Sequence, residues 1–136
     1  IGDGPETEKL RCVLPAKFLK LGRMQLLNEI SRTRFLSKLQ TCDALLVTSY
    51  REANSVLVFE ALAANIPVLA SEISGMAETV PHCGKTFPIT LFNNPVEIAH
   101  QLIALARSDR TDSGRAYLAE LHEQETRNLC DILEKL

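Results

Sequence analysis

Apolar residues along this chain fall either in short continuous runs or in longer stretches spaced by three and four, the pattern of strands alternating with helices. Ile1-Gly2-Asp3-Gly4-Pro5 reads as the last residue of a strand and a turn, because Gly, Asp and Pro supply the turn conformations. The strand expected before that turn is not in the sequence, so the chain is expected to be a piece of a longer polypeptide. A short helix is predicted over Glu6 to Cys12, broken by Pro15, and Lys17 to Leu21 reads as a short strand ending at Gly22. Met24 to Gln40 carries Leu26, Leu27, Ile30, Phe35, Leu36 and Leu39 at helical spacing, with basic residues between, and reads as a helix interrupted around Ser31-Arg32-Thr33. Ala44 to Val47 is a continuous apolar run, the mark of a strand covered on both faces. Thr48 to Asn54 is a polar loop, and an almost wholly apolar helix follows from Ser55 to Ala64, with Asn65 suited to its C-terminus. Ile66-Pro67-Val68-Leu69-Ala70 is the next buried strand, with Pro at its mouth where no ladder donor is lost.

The second half continues the alternation. Ser71 to Gly75 reads as a turn, Met76 to Val80 as one helical turn ended by Pro81, and Lys85 to Ile89 as a brief strand. Asn94-Pro95 is a helix start, with Asn as N-cap and Pro at the first helical position. That helix runs to Arg107 with Ile98, Leu102, Ile103, Leu105 and Ala106 on its inner side. Ser108 to Gly114 is a polar linker, and Arg115 to Leu136 a long polar helix with a thin apolar stripe: Leu118, Leu121, Leu129, Ile132, Leu133 and Leu136. Strand, helix, strand, helix with strands buried on both faces predicts an α/β fold, a Rossmann-like parallel sheet flanked by helices. Residues 1–108 are expected to form that domain and 109–136 a linker and C-terminal helix. No internal repeat interrupts this order.

Composition narrows the class. A chain of 136 residues supports one modest core, and 46% hydrophobic with 24% charged residues is ordinary for a soluble globular protein. The net charge of −2, with no basic run, argues against a nucleic-acid surface, whose affinity comes from Lys and Arg neutralising phosphates. No apolar run approaches the ~20 residues that cross a bilayer, and no signal-peptide pattern opens the chain. Cys12, Cys42, Cys83 and Cys130 are scattered without a C-x-x-C pair or zinc spacing. They read as reduced, mostly packed thiols, which favours a cytoplasmic location. His82-Cys83 lacks further ligands at regular spacing and reads as a loop, not a metal site. His100 and His122 lie in helices among polar neighbours and are given no role.

One charge stands out. Glu60 is a single carboxylate inside the apolar helix, and the nearest other acid, Glu52, precedes that helix. An all-round apolar helix is normally buried, and a buried carboxylate is costly unless something hydrogen-bonds it. Glu60 is therefore expected to meet a protein partner, water or a ligand. In parallel α/β sheets ligands bind outside the carboxyl ends of the strands. Ser49 to Ser55 lies there, so the amides and positive end of the following helix form a generic anion site, with Asn54 or Ser55 as its cap. Carboxylates accept hydrogen bonds from vicinal hydroxyls. Two acids flanking a helix end that could hold a diphosphate suit a nucleotide-sugar. The alternative is that Glu60 pairs with an arginine of a neighbouring helix while Glu52 is solvated.

Asp43 to Ala70 resembles the signature segment of retaining glycosyltransferase family 4, of the GT-B fold. The resemblance rests on Ser49, the Glu52-x7-Glu60 spacing, Ala61, Pro67 and Val68, in order. Gly2-Asp3-Gly4-Pro5 is similar to the family's GDGP turn, and Ser74-Gly75-Met76-Ala77-Glu78 to its G-G-x-P-E turn, with Gly75 and Glu78 kept. The resemblance spans residues 1–106, and the last helix suits the family's C-terminal helix. It implies two Rossmann-like domains with the active site between them, of which this chain is the C-terminal, donor-binding one.

By position the resemblance makes Glu52 the catalytic-site residue contacting the donor sugar and Glu60 the ligand of the ribose hydroxyls. The amides around Asn54 to Val56 would meet the diphosphate, and Ser49, Ala53, Gly2 and Gly4 complete the donor-site candidates. The reaction implied is glycosyl transfer with retention, without metal or other cofactor. Ala53 stands where the family usually has Gly, setting a Cβ where backbone would approach the ligand. The family's diphosphate-neutralising Arg and Lys lie upstream of the GDGP turn, leaving Arg23 and Arg51 as candidate substitutes. Without the N-terminal acceptor domain the chain is expected to bind donor weakly and not to turn over. Its last helix is expected to pack across the domain edge toward that domain, with exposed apolar residues that favour self-association. The alternatives are a degenerate, non-catalytic nucleotide-sugar-binding module and an α/β interaction domain.

Overall fold

The computed structural model describes residues 4–14, 16, 20, 25, 27–52, 55–82, 84–108 and 112–133. It divides into two compact units, residues 1–38 and 39–136. In the first, α1 spans Thr7–Val13 and ends where predicted: Leu14 turns extended (φ −68°, ψ 126°), as a residue before proline must. Lys9–Glu6 and Arg11–Glu8 ion pairs line its exposed surface, and Arg11 also donates to the Asn28 side chain at 2.9 Å. No described residue of α1 is buried, and Cys12 is exposed, so that thiol is not packed as expected. The strand predicted over Lys17 to Leu21 lies outside the described residues except at Lys20, which is helical. Helix α2, Arg32–Gln40, begins at the predicted interruption, where the Ser31 hydroxyl accepts from the Arg34 amide. The described residues from Gln25 to Ser31 are not helical, which shortens the element predicted from Met24.

The second unit carries a parallel sheet in the order β1-β2-β3, formed by β1 (Leu45–Val47), β2 (Val68–Ser71) and β3 (Gly84–Phe87). The α/β expectation holds: α3 (Val56–Ala63) joins β1 to β2, and α4 (Ser74–Thr79) with a 3-10 turn (Val80–His82) joins β2 to β3. Ser74 and Gly75 open α4; they do not form a turn, and Pro81 sits within the 3-10 segment. β2 is buried at every position, as its continuous apolar run requires. β1 is not: Leu46 remains 38% exposed, so one face of this edge strand stays open among the described residues. Gly84 pairs with Val68, and the backbones come so close that a Cβ there would lie 1.7 Å from the Val68 carbonyl oxygen.

A second 3-10 segment, Ile89–Asn93, leads to α5, Pro95–Ala106. The Asn94 side chain accepts from the Glu97 amide with Pro95 at the first position, as the sequence predicts. Ile98 and Leu105 pack with Leu69 and Phe87, joined by Leu91, Phe92 and Leu102. Ile103, expected inside, is exposed. Full burial of a side chain such as Phe87 is worth ~1.5–3 kcal/mol, so this cluster anchors β3 and α5 to the sheet.

Helix α6, Ser113–Leu133, seats its first turn on the C-terminal end of α3. Asn65 ends α3 in the left-handed region (φ 57°), where Asn is tolerated. Its amide reaches the Leu62 carbonyl and the Ile66 amide reaches Ala61, a Schellman closure. The Asn65 amide nitrogen donates to the Asp112 carboxylate. Arg115 donates to the Ala63 carbonyl at 3.1 Å, placing positive charge at the helix's negative end. Gly114 lies against Leu62, Ser113 donates to the His82 carbonyl at 2.8 Å, and the His82 and Tyr117 rings stack at 3.7 Å. Leu118 and Leu121 are half-buried, and His122 to Asn128 are exposed.

Candidate functional site

The loop from Thr48 to Ser55 leaves the carboxyl end of β1 and opens α3, where an open parallel sheet binds ligands. Ser55 is the N-cap residue, buried and extended (φ −85°, ψ 108°). Its carbonyl accepts the first helical bonds, from Val58 at 2.9 Å and Phe59 at 3.3 Å. Its hydroxyl makes no capping bond; of the two expected caps, Asn54 or Ser55, the other lies outside the described residues. The first amides of any helix have no partner within the helix, so at α3 they are left to an acceptor other than this hydroxyl.

Glu60 is half-buried, less than its apolar surroundings predicted. Val58, Ala61 and Leu62 are the buried residues of α3, at the i, i+3, i+4 spacing of one helical face. Glu60 falls on the other side, one turn after exposed Val56. Its position is therefore less costly than that of a fully buried carboxylate, and it shares a face with the helix start. Glu52 is half-buried in the loop and Arg51 beside it is exposed.

A hydroxyl absent from the predicted set fixes this loop. Ser71, the last residue of β2, is fully buried and donates to the Ser49 carbonyl at 2.6 Å. It ties the carboxyl ends of neighbouring strands together, just before the loop that carries Glu52. The sequence held one signal: a serine ending a wholly apolar strand must be hydrogen-bonded if buried. Ser71→Ala is expected to cost roughly 1–3 kcal/mol, because it leaves the Ser49 carbonyl without its donor. Urea unfolding measures this, and an unchanged midpoint would show that the latch contributes nothing.

Aromatic residues also gather at this end. The Tyr50 ring meets Phe92 edge-on, centroids 4.7 Å apart, and Phe92 meets Phe87 at 5.6 Å. Of the predicted site residues, Ser49, Glu52, Ser55, Val56 and Glu60 lie on one β1–loop–α3 segment. Ala53, Asn54, Gly2 and Arg23 lie outside the described residues. Gly4 belongs to the first unit, exposed at the start of the α1 turn, where its carbonyl accepts from Thr7. Gly75 and Glu78 lie on α4, with Glu78 exposed. Among the described residues no three His, Cys, Asp or Glu side chains gather as a metal site, and no helix is long and apolar enough to cross a membrane. A family model described as glycosyl transferases group 1 matches residues 1–120.

Proposed function

The chain belongs to the glycosyl transferases group 1 family, and from that premise we propose that it is the nucleotide-sugar donor site of a retaining enzyme. The observation that carries this reading is the arrangement around α3. Its N-terminus opens at the carboxyl end of β1 with Glu52 before it, Glu60 one turn in, and no side-chain cap from Ser55. In this reading the amides of Val56 and its neighbours, Asn54 among them, hold the donor diphosphate. Arg51 adds positive charge from the loop. Glu52 accepts hydrogen bonds from the donor sugar and Glu60 from the ribose hydroxyls. Ser49 lies at the start of the same loop.

In the transfer, the bond between the anomeric carbon and the terminal phosphate oxygen breaks. A bond to the acceptor oxygen forms on the same face, and the acceptor hydroxyl passes its proton to an oxygen of the leaving diphosphate. Negative charge then grows on the leaving diphosphate, where the helix end stabilises it. This chemistry asks for no metal or other cofactor. Acceptor contacts come from a second, N-terminal domain, so we expect donor binding without turnover by these residues alone. A cytoplasmic location fits a nucleotide-sugar substrate. A thermal-shift and calorimetric screen of UDP-, GDP- and ADP-sugars against this chain tests the reading. A ligand at 100 times its Kd stabilises the native state by ~2.7 kcal/mol, so one sugar nucleotide is expected to raise the melting temperature by several degrees. No response to any of them would refute the donor site.

A further inference from the structure

The loop after β1 carries one aromatic side chain, and it faces solvent: Tyr50 is 70% exposed. An exposed side chain on a loop is ordinarily mobile, but this ring is held. It packs against Phe92 at 4.7 Å with an interplanar angle of 64°. Phe92 packs against Phe87 at 5.6 Å and 76°, and Phe87 is fully buried at the end of β3. Both spacings are those of attractive edge-to-face pairs. Three rings thus run from core to solvent, each bracing the next. The orientation of the outermost is set by the sheet and not by the loop alone. A side chain already ordered in this way loses little conformational freedom when a ligand covers it.

We propose that the Tyr50 ring is the stacking face for the sugar ring of the donor, an inference that rests on the donor-site reading above. A hexopyranose has a flat face of C–H groups and a rim of hydroxyls. A site that grips both sides needs an apolar plane beside hydrogen-bond acceptors. Tyr50 supplies the plane and Glu52, two residues on in the same loop, the acceptor. The diphosphate is a poor occupant of that face, because the face of an aromatic ring is electronegative. The nucleobase lies beyond the ribose held by Glu60, on the helix side of the anion site and away from this loop.

The test is calorimetry on the whole chain with UDP-glucose, GDP-mannose and ADP-glucose, each beside its free nucleoside diphosphate. Tyr50→Ala is expected to weaken the bound nucleotide-sugar about tenfold, the order of one lost stacking face, and to change the matching free diphosphate by less than about twofold. Tyr50→Phe keeps the ring and is expected to bind both within about twofold of the parent chain. Tyr50→Leu keeps an apolar contact for Phe92 without a flat ring and is expected to behave as Tyr50→Ala, which separates stacking from loop support. Unchanged nucleotide-sugar affinity in Tyr50→Ala and Tyr50→Leu, or an equal loss for sugar nucleotide and free diphosphate, overturns the proposal alone. A parent chain that binds none of the six ligands overturns the donor-site reading and this inference with it.

Discussion

Gly84→Ala is expected to be among the most destabilising single substitutions in the second unit. Gly84 opens β3 and pairs with Val68 of the central strand. A Cβ at this position would lie 1.7 Å from the Val68 carbonyl oxygen, 2.6 Å from its carbon and 2.7 Å from its nitrogen. All three are backbone atoms, so no side chain can swing aside. One strand must move, and Val68 to Ser71 are buried at every position. Overpacking a core costs ~1–3 kcal/mol when side chains can adjust; here the cost is expected at or above the top of that range. Against a total stability of ~5–15 kcal/mol, that is a large share. Urea unfolding of parent and variant measures it through the midpoint at constant slope. A loss below about 0.5 kcal/mol would mean that β2 and β3 separate without penalty. Function would follow the strand, because β3 ends in Phe87, on which the Phe92–Tyr50 stack is built.

What the sequence disclosed was chiefly local. Asn94-Pro95 declares a helix start through chemistry contained in four residues, and the Asn94 cap forms as read. Asn65 likewise ends α3 through its own tolerance of the left-handed region. Pro15 forces Leu14 out of helical geometry. The misreadings arise where a neighbour decides. The apolar run of β1 looks doubly covered, but coverage depends on what packs against each face, and Leu46 stays open. Glu60 looks buried because composition treats all sides of a helix alike, whereas α3 buries the side bearing Val58, Ala61 and Leu62. Asn54 and Ser55 both look like caps by residue type, and the Ser55 hydroxyl does not bond the helix amides. The Ser71–Ser49 latch joins residues 22 positions apart, and the Tyr50–Phe92 contact residues farther apart still, beyond any local pattern. The paired acids were legible because both lie on one segment; the latch and the stack that hold their loop were not.

Glu60→Ala is expected to weaken binding of free nucleoside diphosphates and nucleotide-sugars alike, and Glu52→Ala to weaken nucleotide-sugars alone. A hydrogen bond to a charged group contributes ~1.5–3 kcal/mol, roughly a 10- to 150-fold change in Kd. A ribose has two vicinal hydroxyls for one carboxylate to accept, so Glu60→Ala is expected toward the upper end. Both ligand classes carry that ribose and both should lose affinity together. Glu52 meets only the sugar in this reading, so the free diphosphate should bind its Ala variant within about twofold of the parent. The half-buried position of Glu60, off the buried face of α3, makes the substitution a fair probe. It opens no cavity among Val58, Ala61 and Leu62, and the unliganded melting temperature of each variant, measured beside the parent's, is the reference for its ligand-induced shift. Glu60→Gln sharpens the result: it keeps the shape and one acceptor oxygen, and should fall between parent and Ala if charge-assisted bonds to hydroxyls are what is lost. Calorimetry with UDP, GDP and ADP and their sugar derivatives reads all three variants. Parent-like diphosphate affinity in Glu60→Ala would remove the ribose from this carboxylate. A nucleotide-sugar that binds Glu52→Ala as well as the parent would remove the sugar from the other. With both gone, the helix end alone would remain, a generic anion site shared by any strand-to-helix turn and no longer a reason to place a donor here.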